Sequence, residues 1–312
     1  MKPLPKEGVF LFSPMHIPNS LKAGDKVAVV NPAKRLQSDM AAGLDILKSW
    51  GLEPVVGTHA REAHNLFAGD DSQRQADLQW ALDDPEIKAI IIARGGYGTT
   101  RILDELSFDK FMEQPKWICG FSDITSLLCR LDNLGVASIH GPMVASMGRN
   151  DDSDDWLKTM LLGGDIRYEL TPRKESRAGR AKGALIGGNL TMICNSIGTS
   201  SEIDTRDKIL FLEEVGEYIY HLDRMLIHML RAGKLSSLRG VIVGDFSSMK
   251  DHNDTFGLST REVLSSQLNH LGCPVLYGFP GGHEHKNLPI PFGVEVELSV
   301  EAAKATVEFS LG

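Results

Sequence analysis

The fold of this chain is constrained most by short segments that are apolar at nearly every position. Each of them lies next to a segment whose apolar residues have helical spacing. "IKAIIIAR" (87–94) and "KWICGF" (116–121) are two such apolar segments, and amphipathic helices are predicted at 70–86 and 123–135. A strand that is apolar on both faces must be covered on both faces, and helices alternating with such strands do this in a parallel sheet. The sequence therefore predicts an α/β protein.

The same alternation continues along the 312 residues, which are enough for two domains. Further strands are predicted at 25–33, 52–57, 136–142, 207–217 and 239–246, with further helices at 39–51, 220–235 and 259–272. Residues 165–183 are polar, contain Pro172 and several basic residues, and are predicted to be a linker. We therefore expect an N-terminal domain over 1–164 and a C-terminal domain over 184–312.

Composition excludes several classes of function. The net charge of -8 has no basic stripe to offset it, so we expect no nucleic-acid partner. No apolar run reaches the roughly 18 residues that a membrane span needs, and the N-terminal residues do not have the pattern of a signal peptide. The four cysteines lack the C-x-x-C spacing, so we expect reduced thiols and a cytoplasmic enzyme. They are Cys119, Cys129, Cys194 and Cys273.

The stretch "GFSDIT" (120–125) places Ser122 directly after a predicted parallel strand. One interpretation makes Ser122 an N-cap of the helix that follows, a common use of serine. The other makes it a nucleophile, because open α/β sheets place their sites at the carboxyl ends of strands. The backbone N–H of Asp123 would then help to bind an oxyanion.

A second glycine-rich stretch, "ARGGYGTTR" (93–101), also follows a predicted buried strand. Glycine lets the backbone approach a ligand closely. The spacing does not match the dinucleotide-binding pattern Gly-x-Gly-x-x-Gly, and it makes a weak phosphate site. The N–H of Gly95 or Gly96 is a candidate second oxyanion donor, and a plain tight turn is the alternative.

A nucleophilic serine needs a base and an orienting acid. His283 and His285 lie in the glycine-bounded loop "GGHEHKN", and His140 follows another predicted strand. Glu213 and Glu214 end an apolar strand, where a carboxylate is rarely buried without a partner. Ser122, Glu213 and His283 therefore form a candidate triad.

A metal site is the competing interpretation of the same loop. His-x-His spacing can direct His283 and His285 to one face, and Glu284 or Asp245 would supply carboxylate oxygen. This set lacks a defined third ligand. We therefore expect neither a metal nor another cofactor.

The ordered set of motifs resembles that of the LD-carboxypeptidase serine peptidases, a family that includes the microcin C self-immunity peptidases. The resemblance covers nearly the whole chain. The motifs are "ARGGYG", "GFSDIT", "IHGPM", "GGNL", "LFLEEVGEYIYHLDRML" and "GFPGGHEHKNLPIPFGVEVEL".

The resemblance implies a flavodoxin-like or amidotransferase-like N-terminal domain that carries the nucleophile, and a smaller C-terminal α/β domain that supplies Glu and His. It assigns the nucleophile to Ser122, the acid to Glu213 and the base to His283. Backbone N–H groups of Gly95 and Asp123 become the oxyanion donors. "LEEVGE" leaves two alternative acids, Glu214 and Glu217.

The implied activity is cleavage of the amide bond before the terminal D-Ala of a murein tetrapeptide, which serves cell-wall recycling in the cytoplasm. The family also suggests a homodimer. A substrate with a carboxylate calls for a cationic contact, for which Arg94 and Arg101 are candidates, and Tyr97 is a further candidate contact.

Two other functions stay open. A microcin-immunity-like peptidase would act on aminoacyl- or peptidyl-nucleotides and would need an aromatic platform for the base. Residues 150–183 offer only Trp156 and Tyr168 for that purpose. A non-catalytic ligand-binding α/β protein, with Ser122 as a helix cap, is the third possibility.

Overall fold

The computed structural model describes residues 15–311 and contains two β-sheets with helices packed around them. The sequence-based expectation about a leader concerns mainly residues 1–14, which lie outside the described range. All four cysteines are free thiols, as predicted. Within 15–311, every helix is too short or too polar to cross a bilayer.

The first sheet has six strands in the order β2-β1-β3-β4-β5-β11. Five of them are parallel, and the order 2-1-3-4-5 is that of flavodoxin-like folds. The predicted fold class is therefore confirmed. The strands are β1 Lys26–Val30, β2 Glu53–Val56, β3 Ile87–Ile92, β4 Trp117–Gly120, β5 Ser138–His140 and β11 Ile290–Phe292.

Within residues 15–311, helices α1 to α6 occur in the N-terminal half of the chain. Helix α2 begins at a capping box, in which Asp70 and Gln73 each accept a backbone N–H of the other, and it packs on β1 and β3. The predicted helix 123–135 begins as a tight 3-10 turn, Ser122–Ile124, before α5 continues. The helices are α1 Ala41–Ser49, α2 Asp71–Asp83, α3 Thr99–Ile102, α4 Asp109–Glu113, α5 Thr125–Asn133 and α6 Asp151–Leu161.

The second sheet has seven strands in the order β10-β9-β8-β7-β12-β13-β6. Strands β7 to β10 are parallel, so the carboxyl ends of β8 and β9 lie at one edge, and the other three strands extend the sheet antiparallel. The strands are β6 Ile166–Leu170, β7 Gly179–Asn189, β8 Ile209–Val215, β9 Gly240–Ser247, β10 Val275–Tyr277, β12 Glu295–Val300 and β13 Ala305–Phe309. Its helices are α7 Leu190–Ser196, α8 Ile219–Arg231 and α9 Thr260–Leu268.

The prediction of a linker over 165–183 is wrong, because this segment contains β6 and the start of β7. Strand β6 alternates buried and exposed positions, with Tyr168 buried and Arg167 exposed. An antiparallel strand with one face in solvent carries polar residues at every second position. The polar composition of the segment therefore reflects a half-exposed sheet and not a flexible connection.

The two sheets meet at the strand ends that carry the candidate residues. Strand β11 comes from the C-terminal half of the chain but pairs with β5 of the first sheet. Gly188 lies so close to α5 that a Cβ at this position would be 2.6 Å from the Thr125 side chain. The N–H of Asn189 donates to Thr125 Oγ1 at 3.1 Å. These contacts hold the end of β7 against the helix that follows Ser122.

Candidate active site

Ser122 lies on a strained turn between β4 and α5. Its φ is 64°, a left-handed value that is uncommon for a residue other than glycine. Its side chain caps neither the 3-10 turn nor α5, so the N-cap interpretation is wrong. Instead, Ser122 Oγ lies 3.0 Å from His283 Nε2. Strain of this kind is typical of functional positions, where the surrounding structure enforces it.

His283 joins Ser122 to a buried carboxylate. His283 Nδ1 lies 2.8 Å from Glu213 Oε2, and the Glu213 side chain is fully buried. Burial lowers the pKa of His283, but the hydrogen bond and negative charge of Glu213 outweigh it, so the net pKa is raised. Nδ1 therefore holds a proton toward the carboxylate, and Nε2 is free to accept one from Ser122.

Gly282 is required where the His283 loop passes the acid. Its φ is 139°, and a Cβ there would be 3.0 Å from Glu213 Oε2. The N–H of Gly282 donates to Asn287 Oδ1 at 2.9 Å, and the N–H of Asn287 donates to Ser153 Oγ at 3.0 Å. The buried Asn287 thus fixes the loop to helix α6 of the first half of the chain.

The structure separates the three candidate acids by their contacts. Glu214 accepts hydrogen bonds from the Asn189 side chain at 3.0 Å and from the backbone N–H of Thr191 at 2.8 Å, so it holds the start of α7. Glu217 contacts His221. Among the three, only Glu213 contacts His283.

The two predicted oxyanion donors lie beside Ser122. A Cβ on Gly95 would be 3.3 Å from Ser122 Cβ, so the glycine-rich loop approaches the serine closely. Asp123 Oδ2 accepts the N–H of Thr99 at 2.9 Å, which ties that loop to the serine turn. Within residues 15–311, the N–H groups of Gly95 and Asp123 donate to no other residue. Both are therefore available to an oxyanion at Ser122.

The predicted substrate contacts differ in position. Arg101 forms a bidentate ion pair with Asp71 and is engaged there. Tyr97 is exposed and packs against Phe67. Arg94 donates to the carbonyl of Arg35, and its pKa is lowered by burial and by the nearby charge of Arg149. Of the two candidate arginines, Arg94 is therefore the one without a carboxylate partner among the described residues, and it lies near Arg149.

His140 is a core residue and not a base for Ser122. It is fully buried, and its ring packs against Phe211 and Phe292 at centroid distances of 4.9 and 5.6 Å. Burial lowers the pKa of His140 to about 3, so the ring is neutral.

The metal interpretation also fails on geometry. Both ring nitrogens of His283 are engaged, and His285 is exposed. In the part of the chain that the structure describes, His, Cys, Asp and Glu form no group of three that could hold a metal ion.

A cavity of about 120 Å³ opens beside His283. Its lining includes Phe121, Arg149 and Asn287. The Phe121 ring packs edge-on against the His283 ring, with their centroids 4.9 Å apart. Sequence reasoning did not assign Phe121 or Asn287 a role, although both stand inside the motifs that it singled out. The available signal was the asparagine in the glycine-bounded loop "GGHEHKN".

The flavodoxin-like sheet and the second mixed sheet define a two-domain α/β protein with its candidate site at their junction. A family model described as the LD-carboxypeptidase N-terminal domain matches residues 27–141, and the corresponding C-terminal domain model matches residues 182–298. The chain belongs to the LD-carboxypeptidase family, and it is a peptidase hydrolase.

Individual relatives agree with this assignment. A probable murein peptide carboxypeptidase of Bacillus subtilis is 34% identical, over 96% of each chain. The crystal structure of muramoyltetrapeptide carboxypeptidase from Oxalobacter formigenes is 29% identical, with a TM-score of 0.83 over 91% of this chain and 98% of that one. MccF in complex with glutamyl sulfamoyl guanosine shares the fold at a TM-score of 0.84 and 20% identity, over 96% of this chain and 99% of that one.

Proposed function

We propose that the protein is a serine-type LD-carboxypeptidase that removes the terminal D-Ala of murein tetrapeptides. The observation that carries this proposal is the contact series from Ser122 Oγ to His283 Nε2 at 3.0 Å and from His283 Nδ1 to Glu213 at 2.8 Å. A nucleophile, a base and an orienting acid in this arrangement perform acyl transfer in proteins of unrelated folds. The substrate class comes from relatives, a probable murein peptide carboxypeptidase and a muramoyltetrapeptide carboxypeptidase.

Acylation begins when Ser122 Oγ attacks the carbonyl carbon before D-Ala and its proton passes to His283 Nε2. The carbonyl oxygen becomes an oxyanion, which the N–H groups of Gly95 and Asp123 stabilise. Glu213 stabilises the imidazolium. The C–N bond then breaks, His283 gives its proton to the leaving amine, and D-Ala departs while the shortened peptide remains esterified to Ser122.

Deacylation repeats these steps with water. His283 takes a proton from a water molecule whose oxygen attacks the ester carbon. The tetrahedral intermediate collapses, the ester C–O bond breaks, and the proton returns from His283 to Ser122 Oγ. The products are D-Ala and a peptide with a new carboxylate, and the enzyme is regenerated.

Two unpaired arginines support a substrate that ends in a carboxylate. Arg149 lines the cavity beside His283, and Arg94 is close enough to it for their charges to interact. Within 15–311 neither guanidinium has a carboxylate partner within 4.0 Å. We propose that they attract the carboxylate of the terminal D-Ala.

The proposal is tested by incubating the protein with a murein tetrapeptide and measuring free D-Ala. We expect D-Ala release that dialysis against a chelator leaves unchanged. Loss of activity on chelation, with recovery on adding zinc, would contradict the serine mechanism.

An aminoacyl-sulfamoyl nucleotide is the discriminating second substrate. Its hydrolysis without D-Ala release would favour the microcin-immunity-like alternative. The packing of Trp156 against the buried Tyr168, at a centroid distance of 5.0 Å, argues against that alternative. Tyr168 donates its hydroxyl to the carbonyl of Pro289 and belongs to the core, so it offers no platform for a base.

The cellular setting follows from the same proposal. Four free thiols, three of them buried, suit a reducing compartment, and we propose a cytoplasmic location. A homodimer stays a prediction that rests on the family resemblance, and size-exclusion chromatography with light scattering tests it.

A further inference from the structure

Helix α6 supports two loops that line the small cavity beside His283. One loop carries Arg149, and the other is the base loop, residues 280–288, which carries the histidine. The N–H of Leu288 donates to the carbonyl of Pro280 at 2.8 Å and closes the base loop. Both loops form hydrogen bonds with the first turn of α6, so this helix end joins the arginine to the histidine.

The Arg149 loop is fixed on both sides of the arginine. The N–H of Gly148 donates to Asp154 Oδ2 at 2.7 Å. On the other side, Asn150 is the N-cap of α6, and its Oδ1 accepts both the N–H and the hydroxyl of Ser153, each at 3.1 Å. Asp154 and Ser153 are both buried. The backbone that carries Arg149 therefore has a defined position relative to α6.

Ser153 extends this arrangement to the base loop. Because the Asn150 amide oxygen can only accept, the Ser153 hydroxyl donates to it and keeps its lone pairs for another donor. The N–H of Asn287 is that donor, at 3.0 Å, and Asn287 Oδ1 in turn accepts the N–H of Gly282 at 2.9 Å. These consecutive hydrogen bonds, which we call the Ser153 relay, run from the residue after the arginine to the residue before the base.

The leaving group of the proposed reaction requires such a connection. The nitrogen of D-Ala takes a proton from His283 Nε2 while the carboxylate of D-Ala lies toward Arg149. Only one carbon separates that nitrogen from that carboxylate, so the proton donor and the guanidinium must be held at a matching separation. A misplacement of about 1 Å can lower the rate of an enzyme by about 10².

We propose that Ser153 is a positioning residue, which sets the base relative to the arginine that receives the carboxylate of the leaving group. The inference rests on the proposed function and deepens it. Ser153 acts through Asn150 and Asn287 and takes no part in the proton transfer itself. Loss of its hydroxyl should therefore slow the departure of the leaving group more than the attack by Ser122.

Two substrates that differ at a single position test this inference. The first is a murein tetrapeptide. The second carries D-lactate in place of the terminal D-Ala, so that an ester oxygen replaces the amide N–H and the carboxylate is kept. An amide nitrogen must be protonated before the C–N bond breaks, whereas an ester oxygen can leave as an alkoxide and depends less on accurate proton delivery. The ratio of kcat/KM for the amide to kcat/KM for the ester therefore measures how well His283 is placed toward the leaving group.

Ser153→Ala is expected to lower this ratio at least about tenfold. Asn150→Ala breaks the relay at a half-buried position and is expected to lower the ratio as well, and the double variant should have no larger effect than Ser153→Ala alone. Lys286→Gln is the matched control, because it removes an exposed ion pair, at 2.6 Å, between the base loop and Asp152 of the same helix. This control leaves the relay intact and is expected to keep the ratio.

A role of Ser153 in stability alone would lower kcat/KM for both substrates by the same factor, and that result would overturn the inference. A ratio that falls as far in Lys286→Gln as in Ser153→Ala would overturn it too. If Ser153→Ala does not fold, Asn150→Ala alone decides between these outcomes.

The wild-type protein separates this inference from the proposed function. Release of neither D-Ala nor D-lactate would contradict the proposed function, and the inference with it. Release of both products, with a ratio that Ser153→Ala and Asn150→Ala leave unchanged, would support the proposed function and contradict the inference alone.

Discussion

Replacing Glu213 by glutamine probes the least exposed part of the proposed triad. The glutamine side chain has nearly the same volume, so the fully buried site should stay packed. What changes is the group that faces His283 Nδ1 at 2.8 Å. An amide N–H directed at Nδ1 would force the ring proton onto Nε2, and Nε2 could then no longer accept the proton of Ser122.

The expected loss is large. In serine triads, changing the orienting carboxylate to its amide lowers kcat by about 10⁴ because the histidine adopts the wrong tautomer. At about 1.4 kcal/mol per tenfold change, this corresponds to roughly 5 kcal/mol of transition-state stabilisation. We expect Glu213→Gln to lose activity on this scale while it keeps its fold, as judged by circular dichroism.

Glu214→Gln is the matched control, because Glu214 is the adjacent residue and is also buried. Its carboxylate accepts the N–H groups of Thr191 and Val215, both at 2.8 Å, and does not contact His283. The control should therefore lower the free energy of unfolding by about 1–3 kcal/mol and keep kcat close to that of the wild type. D-Ala release from a murein tetrapeptide measures kcat, and denaturant unfolding measures stability.

The opposite pattern would refute the reasoning. If Glu214→Gln abolished turnover and Glu213→Gln retained it, Glu214 would be the orienting acid. If neither variant lost activity, the contact between His283 and the carboxylate would not be part of catalysis.

Two further predictions concern the base and the oxyanion donors. Because the net pKa of His283 is raised, kcat/KM should fall with decreasing pH at a midpoint above the ordinary histidine value of about 6.5. In Glu213→Gln, burial acts on His283 without the carboxylate, so NMR titration should give a lower midpoint for His283 than in the wild type. An unchanged midpoint would contradict the pairing of His283 with Glu213. Gly95→Ala adds a Cβ 3.2 Å from the Phe121 carbonyl oxygen and 3.3 Å from Ser122 Cβ, which should displace the Gly95 N–H. We expect this displacement to lower kcat by a factor of about 10². An unaltered kcat would exclude the Gly95 N–H from the oxyanion site.

The sequence predicted the first sheet well, because its strands are buried on both faces and their composition records it. Residues 87–94 are an example, and β3 runs over Ile87–Ile92. The sequence predicts a linker over 165–183, where β6 and the first part of β7 lie, because exposed residues such as Arg180 and Lys182 hide the alternation of the strand. Composition is least informative where one face of a strand is exposed to solvent.

The sequence could predict which residue types form the candidate site, but not that these residues come together in the fold. Ser122 and His283 are 161 residues apart, and no local pattern states that they lie within 3.0 Å. Sequence reasoning alone left a metal site open, and the family resemblance selected the triad. The strained φ of Ser122 and the absence of a capping hydrogen bond from its side chain depend on packing around the turn, and neither leaves a signal in the composition.

The covalent state of Ser122 tests the central claim most directly. Mass spectrometry of the protein quenched during turnover of a murein tetrapeptide should detect the peptide acyl group, without D-Ala, esterified to Ser122. The Ser122→Ala protein should carry no such adduct and should release no D-Ala above the uncatalysed rate. Full turnover by Ser122→Ala, or an acyl group on another residue, would contradict the account.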